Sequence, residues 1–343
     1  MIQDIIKNRN LSLQTLSVLL SGDDDALSEE LRAAAQMTAQ SVYGKKVFMR
    51  GLIEVSNHCK NDCYYCGIRK SNAHADRYRL DKETILQCCR TGYALGFRTF
   101  VLQGGEDGYY TDAVLCDIVS AIKQKHPDCA VTLSLGERSR ESYRRLFEAG
   151  ADRYLLRHET ANEAHYRMLH PESMSLGHRK ECLFNLKDIG YQVGCGFMVG
   201  SPGQTPETLY EDLQFIRELQ PQMVGIGPFI PEHDTPFAGK PAGTLRQTLT
   251  LLSIIRLLKP NVLLPATTAL GTISPSGREE GIRHGANVIM PNLSPLEVRD
   301  KYLLYDNKIC TGDEAAECRA SMQRSIENIG YELVVDRGDC HEE

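Results

Sequence analysis

Cys59, Cys63 and Cys66 lie within eight consecutive positions, as Cys-x3-Cys-x2-Cys. Three thiolates on one short segment can bind three irons of a 4Fe–4S cube. The fourth iron then has no protein ligand and is open to a chelating small molecule. Two other chemistries use part of the set. A structural zinc site wants four ligands; His74 could be the fourth, but no second Cys-x2-Cys lies downstream. A redox pair needs only Cys63 and Cys66 and leaves Cys59 without a role. The cluster alone employs all three. Of the 12 cysteines, Cys88, Cys89, Cys116, Cys129, Cys182 and Cys195 are scattered and read as small packing residues. Cys340 falls in what reads as a loose tail.

The rest of the composition is ordinary. A net charge of −6 with 42 % hydrophobic and 24 % charged residues argues against a disordered chain, a collagen-like chain and a basic nucleic-acid coat. No apolar run approaches the roughly 20 residues that span a bilayer. The start, MIQDIIKNRNLSLQ, is too polar for an export signal. A cytoplasmic protein with free thiols is expected, with neither nucleic acid nor membrane as partner.

Other elements must position the cysteine segment. The first 45 or so residues read as helices. The clearest begins at Ser28–Glu29, after an acidic turn at Asp23, Asp24 and Asp25, and runs to about Val42. Short β-rich runs then alternate with amphipathic stretches. Strands are expected near 48–57, 99–105, 130–136, 153–159, 192–200, 223–230, 262–270 and 287–291. Helices are expected near 82–95, 112–125, 140–148, 177–189, 207–218, 245–258 and 277–284. Gly96, Gly150, Gly190 and Gly285 suit left-handed C-caps. This alternation is that of a parallel sheet with helices outside. Eight such units fit a (β/α)8 TIM-type barrel better than an open doubly wound sheet, though parity alone does not show closure.

Parity assigns the faces. Arg50, Leu52, Glu54 and Ser56 share one side of the first strand; Gly51, Ile53, Val55 and Asn57 share the other. Thr132 goes with Ser134, and Leu155 with Arg157 and Glu159. Charged inward residues near strand ends imply a polar cavity at the barrel mouth. The cysteines follow the first strand, at the rim where barrel enzymes carry their active sites. His158 has the opposite parity to Arg157 and Glu159, so it faces a helix in a packing role. His58 is a candidate donor beside the first cysteine, with solvent exposure the equal alternative. The expected division is a helical extension over 1–45, an α/β barrel over 46–292 and a C-terminal extension over 293–343 that closes it.

The cysteine spacing resembles that of the radical S-adenosylmethionine (AdoMet) superfamily. So does the aromatic Tyr65 before the last cysteine. Gln103-Gly104-Gly105-Glu106-Asp107 resembles the superfamily's Gly-Gly-Glu element. Gly196-Phe-Met198-Val-Gly200 resembles its Gly-x-Ile-x-Gly adenine element, although Gly203 stands where Glu is frequent. The segments RYRL (77–80), VLQGGEDGYY, VTLSLGE, DRYLLRHETAN, MVGIGPFIPEHDTP, PATTALGT and GANVIMPN are similar to the HydE family of FeFe-hydrogenase maturases. They run in order from about Arg50 to Tyr331.

The resemblance implies a role for each residue. Cys59, Cys63 and Cys66 ligate a 4Fe–4S cluster, and Tyr65 lies against the adenine. Gly104, Gly105 and Glu106 hold the methionine end. Thr132, Glu159, Arg179 and Met198 face AdoMet, while Arg157 points toward the cavity or pairs with Glu159. Gln103, Thr267, Thr268, Tyr302 and Tyr305 line the substrate end; for the two tyrosines rim packing is the alternative. AdoMet binds the open iron, and one electron releases a 5′-deoxyadenosyl radical. The radical acts on a cysteine-bound iron complex carrying carbonyl and cyanide. The partner maturase HydG supplies that complex, and the product passes to HydF. Many HydE proteins add a C-terminal Cys-x7-Cys-x2-Cys cluster motif. Here Cys310 and Cys318 keep the first spacing, but Ser321 takes the third position. Serine is a poor iron–sulfur ligand, so a second cluster is expected to be absent or labile. Two alternatives stay open: an amino-acid mutase resembling methylornithine synthase, and a non-catalytic iron–sulfur or zinc-binding module.

Overall fold

The computed structural model describes residues 1–309 and 315–341. Three helices lead: α1 (Ile2–Asn8), α2 (Leu13–Ser21) and α3 (Asp25–Tyr43). The last begins earlier than Ser28. Asp24 caps it by accepting the Leu27 N–H at 3.0 Å, so the acidic turn is itself the helix start. Then come β1 (Lys46–Met49), β2 (Gly51–Ser56), α4 (Lys82–Ala94), β3 (Thr99–Gly104), α5 (Asp112–Lys125), β4 (Ala130–Ser134), α6 (Arg140–Glu148) and β5 (Arg153–Leu155). The middle of the chain forms α7 (Glu163–Leu169), α8 (Leu176–Ile189), β6 (Gln192–Cys195), β7 (Met198–Val199), α9 (Pro206–Leu219), β8 (Met223–Val224) and β9 (Gly227–Pro228). The remainder is α10 (Leu245–Leu258), α11 (Thr268–Ile273), α12 (Gly277–Arg283), β10 (Val288–Ile289), α13 (Leu296–Arg299), α14 (Ala315–Asn328) and β11 (Glu332–Val334).

β2, β3, β4, β5, β6 and β8 form a parallel sheet in that order. Isolated parallel bridges continue the pairing, from Met223 to Leu263 and from Pro265 to Val288. Val288 also pairs with Phe48 in β1, and Leu52 bridges Asn292, so the ladder returns to its first strands. The result is a parallel α/β fold of TIM type. Ile53 and Val55 lie in the apolar core with Ile85 and Leu86 of α4, while Leu52 and Glu54 face the opposite side and line a central cavity. That is the expected alternation. Gly96, Gly150, Gly190 and Gly285 all take positive φ at the expected helix ends.

Several expected elements differ. The run 48–57 divides at Arg50, because β1 pairs with β10 and β11 while β2 pairs with β3. The runs 192–200 and 223–230 also divide in two. The expected strand at 262–270 is reduced to single bridges. Pro265 brings no N–H to a ladder, and α11 starts at Thr268. The helix α7, capped by Asn162 on the His165 N–H, was not expected, nor was β11.

The C-terminus tucks under the barrel. β11 pairs parallel with β1. Arg337 O accepts hydrogen bonds from Thr99 Oγ1 and Arg153 Nη2, and Asp339 Oδ1 lies 2.5 Å from Arg153 Nη2. Cys340 is therefore not in a loose tail; its thiol lies 3.1 Å from Asn261 O. No helix among the described residues is long and apolar enough to cross a membrane.

Candidate active site

The segment after β2 carries the three cysteines to the mouth of a cavity of about 360 Å³. Cys59, Cys63 and Cys66 all line it. So do Tyr65, Gln103, Gly104, Gly105, Glu106, Arg157, Glu159, Arg179, Met198, Thr267, Thr268, Tyr302 and Tyr305. Residues spread over nearly 250 positions thus share one space. Thr132 does not line it. It is buried one pleat deeper than Ser134, which lines the cavity instead, and its Oγ1 has no hydrogen-bond partner. Cys318 lies on the buried stripe of α14 with Ala315, Met322 and Ile326, away from the cavity. Cys310 falls outside the described residues.

Burial raises all three thiol pKa values, and nearby thiols raise those of Cys63 and Cys66 further. Cys59 is raised, Cys63 is pushed up to about 12, and Cys66 stands well above the usual thiol range. A bound cationic cluster removes that cost, because a metal-coordinated thiol is deprotonated outright. Cys59 Sγ also accepts the Glu106 N–H at 3.4 Å. Gly105 allows that approach: a Cβ there would lie 2.2 Å from His58 O and 2.7 Å from Cys59 Cβ. The donor set and its packing fit a three-cysteine cluster. His74, the other candidate zinc ligand, instead pairs with Asp234 at 2.8 Å. His58 is half-buried, and burial together with Arg79 lowers its pKa.

Beyond the thiols, the wall offers unfilled polar valences. Glu106 Oε1 accepts the Glu137 N–H at 3.0 Å. Arg157 Nη2 lies 3.1 Å from Glu159 Oε2. That contact is an ion pair by distance but is misaligned as a hydrogen bond, so both atoms, with Arg157 Nε, remain unsatisfied. Arg179 donates to Glu137 Oε1 at 2.5 Å and to Arg157 O at 2.7 Å. Such orphaned buried groups suit a zwitterionic ligand with ribose hydroxyls. Tyr65 is held edge-on to His170, its hydroxyl 3.2 Å from His170 Nε2.

At the far end, Gln103 Nε2 donates to the Tyr302 hydroxyl at 3.4 Å. Thr267 Oγ1 has no partner. Two charged wall residues have no assignment from sequence. Glu54 Oε1 accepts from Lys308 Nζ at 2.5 Å, and Glu54 Oε2 accepts from Asn292 Nδ2 at 2.8 Å. Lys308 also donates to Tyr302 O at 2.8 Å, tying the segment over the cavity to β2. Inward parity marked Glu54; nothing local marks Lys308.

The superfamily model described as Radical SAM matches residues 53–216. The chain is 45 % identical over 325 residues to the FeFe-hydrogenase maturase subunit HydE of Thermotoga maritima, covering 95 % of this chain and 92 % of that protein. It is 28 % identical over 300 residues to 3-methylornithine synthase of Methanosarcina acetivorans, covering 86 % and 84 %. The solved structure of methylornithine synthase (PylB) superposes with a TM-score of 0.85 at 27 % identity, over 97 % of each chain. HydG from Carboxydothermus hydrogenoformans shares the fold, with a TM-score of 0.81 at 21 % identity over 96 % of this chain and 77 % of that one. The chain belongs to the radical SAM superfamily, within which it is an enzyme of the HydE type. A 4Fe–4S cluster and AdoMet are the cofactors this membership carries.

Proposed function

We propose that the chain is the maturase that acts on a cysteine-bound iron–carbonyl–cyanide complex during assembly of the FeFe-hydrogenase cofactor. HydG supplies this complex and HydF receives the product. One observation carries the reading: a single cavity joins the three thiols to the wall of Gln103, Thr267, Thr268, Tyr302 and Tyr305. The near full-length identity with HydE supports it.

Held by Cys59, Cys63 and Cys66, a reduced 4Fe–4S cluster would supply the one electron for cleavage of AdoMet to methionine and a 5′-deoxyadenosyl radical. The protein's own residues position and shield. Cys59, Cys63 and Cys66 hold the cluster. Glu106 takes the methionine ammonium, and the Gly104–Gly105 backbone lets it approach. Glu159, Arg179, Tyr65 and Met198 fix the nucleoside end. Arg157 and Thr267 offer open hydrogen-bonding groups to the substrate. Tyr302 and Tyr305, held over the opening, keep water from the radical. In this reading the barrel has eight βα units over 46–292, with extensions over 1–45 and 293–343, and the protein is cytoplasmic. In the same reading a second cluster is absent or labile, since Ser321 stands where the third ligand would be and Cys318 packs inward.

Anaerobic reconstitution tests the proposal. Reduced protein should give an EPR signal that changes with AdoMet, and should form 5′-deoxyadenosine with the iron–cysteine complex. Turnover on a free amino acid instead would support the mutase reading, which the superposition with methylornithine synthase favours. Zinc in place of iron, or a signal indifferent to AdoMet, would leave only a metal-binding module.

A further inference from the structure

We infer that His158 and Asp212 are positioning residues for AdoMet, holding the Glu159 carboxylate and the Gly196 backbone in place from behind the cavity wall. This rests on the AdoMet reading above. The His158 ring is fully buried, against Phe197 and Phe215 at centroid distances of 5.8 and 4.9 Å. Its Nδ1 accepts the Gly196 N–H at 3.3 Å. The proton therefore sits on Nε2, which lies 3.3 Å from Asp212 Oδ1 but is misaligned as a hydrogen bond and makes none. The same carboxylate oxygen accepts the Ala161 N–H at 2.5 Å. Asp212, on α9, thus bonds the chain just after residue 159 and abuts the His158 ring just before it.

The gripped residue is strained. Glu159 has φ 65, in the left-handed region that a side chain disfavours. Such a conformation persists where surrounding contacts over-determine it. The Glu159 N–H donates to Gly196 O at 3.0 Å. Both backbone groups of Gly196 are therefore bound by residues 158 and 159. There is no slack on its other side: a Cβ on Gly196, at φ 155, would lie 2.0 Å from Gly225 O. Glu159, Met198 and Gly225 all line the cavity, so one tied unit presents three parts of its wall.

Packing alone does not require this arrangement. Asp212 is wholly buried and its Oδ2 has no partner, a costly choice where an apolar side chain would fill the space. Burial lowers the His158 pKa to about 3 and raises that of Asp212 well above its usual value. Glu159, Arg157, Lys180 and Arg179 face the imidazole, and Glu211 and Lys180 face the carboxyl, without reversing either direction. The tie is made of two hydrogen bonds from backbone, Gly196 N–H to His158 Nδ1 and Ala161 N–H to Asp212 Oδ1.

The test is the AdoMet concentration that half-converts the EPR signal of the reduced, reconstituted protein. His158→Asn places an amide oxygen where Nδ1 accepts, and should stay within threefold of wild type. His158→Gln carries its amide past the Nδ1 position and leaves the Gly196 N–H unbound, and should need at least tenfold more AdoMet. His158→Phe keeps the ring and loses the bond to Gly196, and should do the same. The AdoMet-free signal and iron content should not change. A packing role predicts the opposite order, with Gln, the closer match in volume, better than Asn. Equal behaviour of Asn and Gln, or Gln better than Asn, overturns the inference, whether or not the Phe variant folds. A wild-type protein indifferent to AdoMet overturns the AdoMet reading together with the inference. A responsive wild type with an equally responsive His158→Phe overturns the inference alone.

Discussion

Lys60 Nζ stands 2.9 Å from Glu106 Oε2, so the carboxylate assigned to the methionine ammonium already has a cationic partner. The lysine side chain is 65 % exposed and the glutamate 8 %. AdoMet must displace a solvated ammonium from a buried acceptor, which is a mild competition. An exposed partner contributes about 0–1 kcal/mol. Lys60→Ala should therefore strengthen AdoMet binding, by no more than about fivefold. Glu106→Gln should weaken it by tenfold or more. AdoMet titration of the EPR signal checks both. A Lys60→Ala variant that binds AdoMet tenfold worse would make Lys60 a ligand contact and not a competitor.

The cysteines divide by position. Cys63→Ala should abolish AdoMet cleavage, since Cys63 lines the cavity. Cys318→Ala should leave cleavage mostly intact, since Cys318 packs on the inner stripe of α14. Reconstituted wild type should hold about four irons per chain. Near eight irons, with half lost in Cys318→Ala, would restore a second cluster.

The barrel floor should respond to acid. Arg153 is fully buried and paired with Asp339. Asp339 is 40 % exposed and solvent screens the pair, so Asp339→Asn should lower unfolding stability by about 1 kcal/mol at neutral pH. Burial alone would raise the Asp339 pKa, but Arg337 and Arg153 hold it well below the usual carboxylate range. A depressed folded-state pKa gives stability that is full above the unfolded value and lost as the pH falls toward the folded one. Urea unfolding across a pH series should show the gap full above about pH 5 and shrinking below about pH 4. A gap independent of pH would remove Asp339 ionisation from the explanation.

Glu54 and Lys308 make a similar pair at the other end of the barrel, with side chains 1 % and 8 % exposed. Lys308→Met leaves a buried carboxylate with Asn292 alone. It should cost about 3 kcal/mol, with Lys308→Arg recovering part. It should also loosen Tyr302, whose carbonyl Lys308 binds. Thermal denaturation measures the first effect and uncoupled AdoMet cleavage without substrate the second. An unchanged melting temperature in Lys308→Met would show that the pair contributes nothing net.

Chemistry written in contiguous residues was legible; chemistry assembled across the chain was less so. The cysteine segment and Gly104–Gly105–Glu106 carry their spacing within a few positions, and all of them reach the cavity. α5, α6 and α10 match the expected spans because an apolar stripe and a Ser or Thr cap mark each of them locally. Alternation identified the inward face of the strands but not the depth along it, hence Ser134 in place of Thr132. It could not register that β5 stops at Leu155 or that Glu159 turns left-handed. Lys308 and its partner Glu54 are far apart in sequence, and no local pattern announces their meeting. The same holds for Asp212, which reads as an ordinary helix residue until α9 docks it behind His158.

The pairing of β11 with β1 also bears on when the enzyme can be charged. Lys46, Val47 and Phe48 take Glu332, Leu333 and Val334 as neighbours, so the chain from residue 46 to residue 334 must emerge from the ribosome before the first barrel strand has both its partners. Contacts of such sequence separation form slowly and late. The cysteine segment hangs from the far end of that same stretch of chain. The support of the cysteine segment is therefore complete only once β11 has paired with β1. A nascent chain would offer three thiols on an unfinished support.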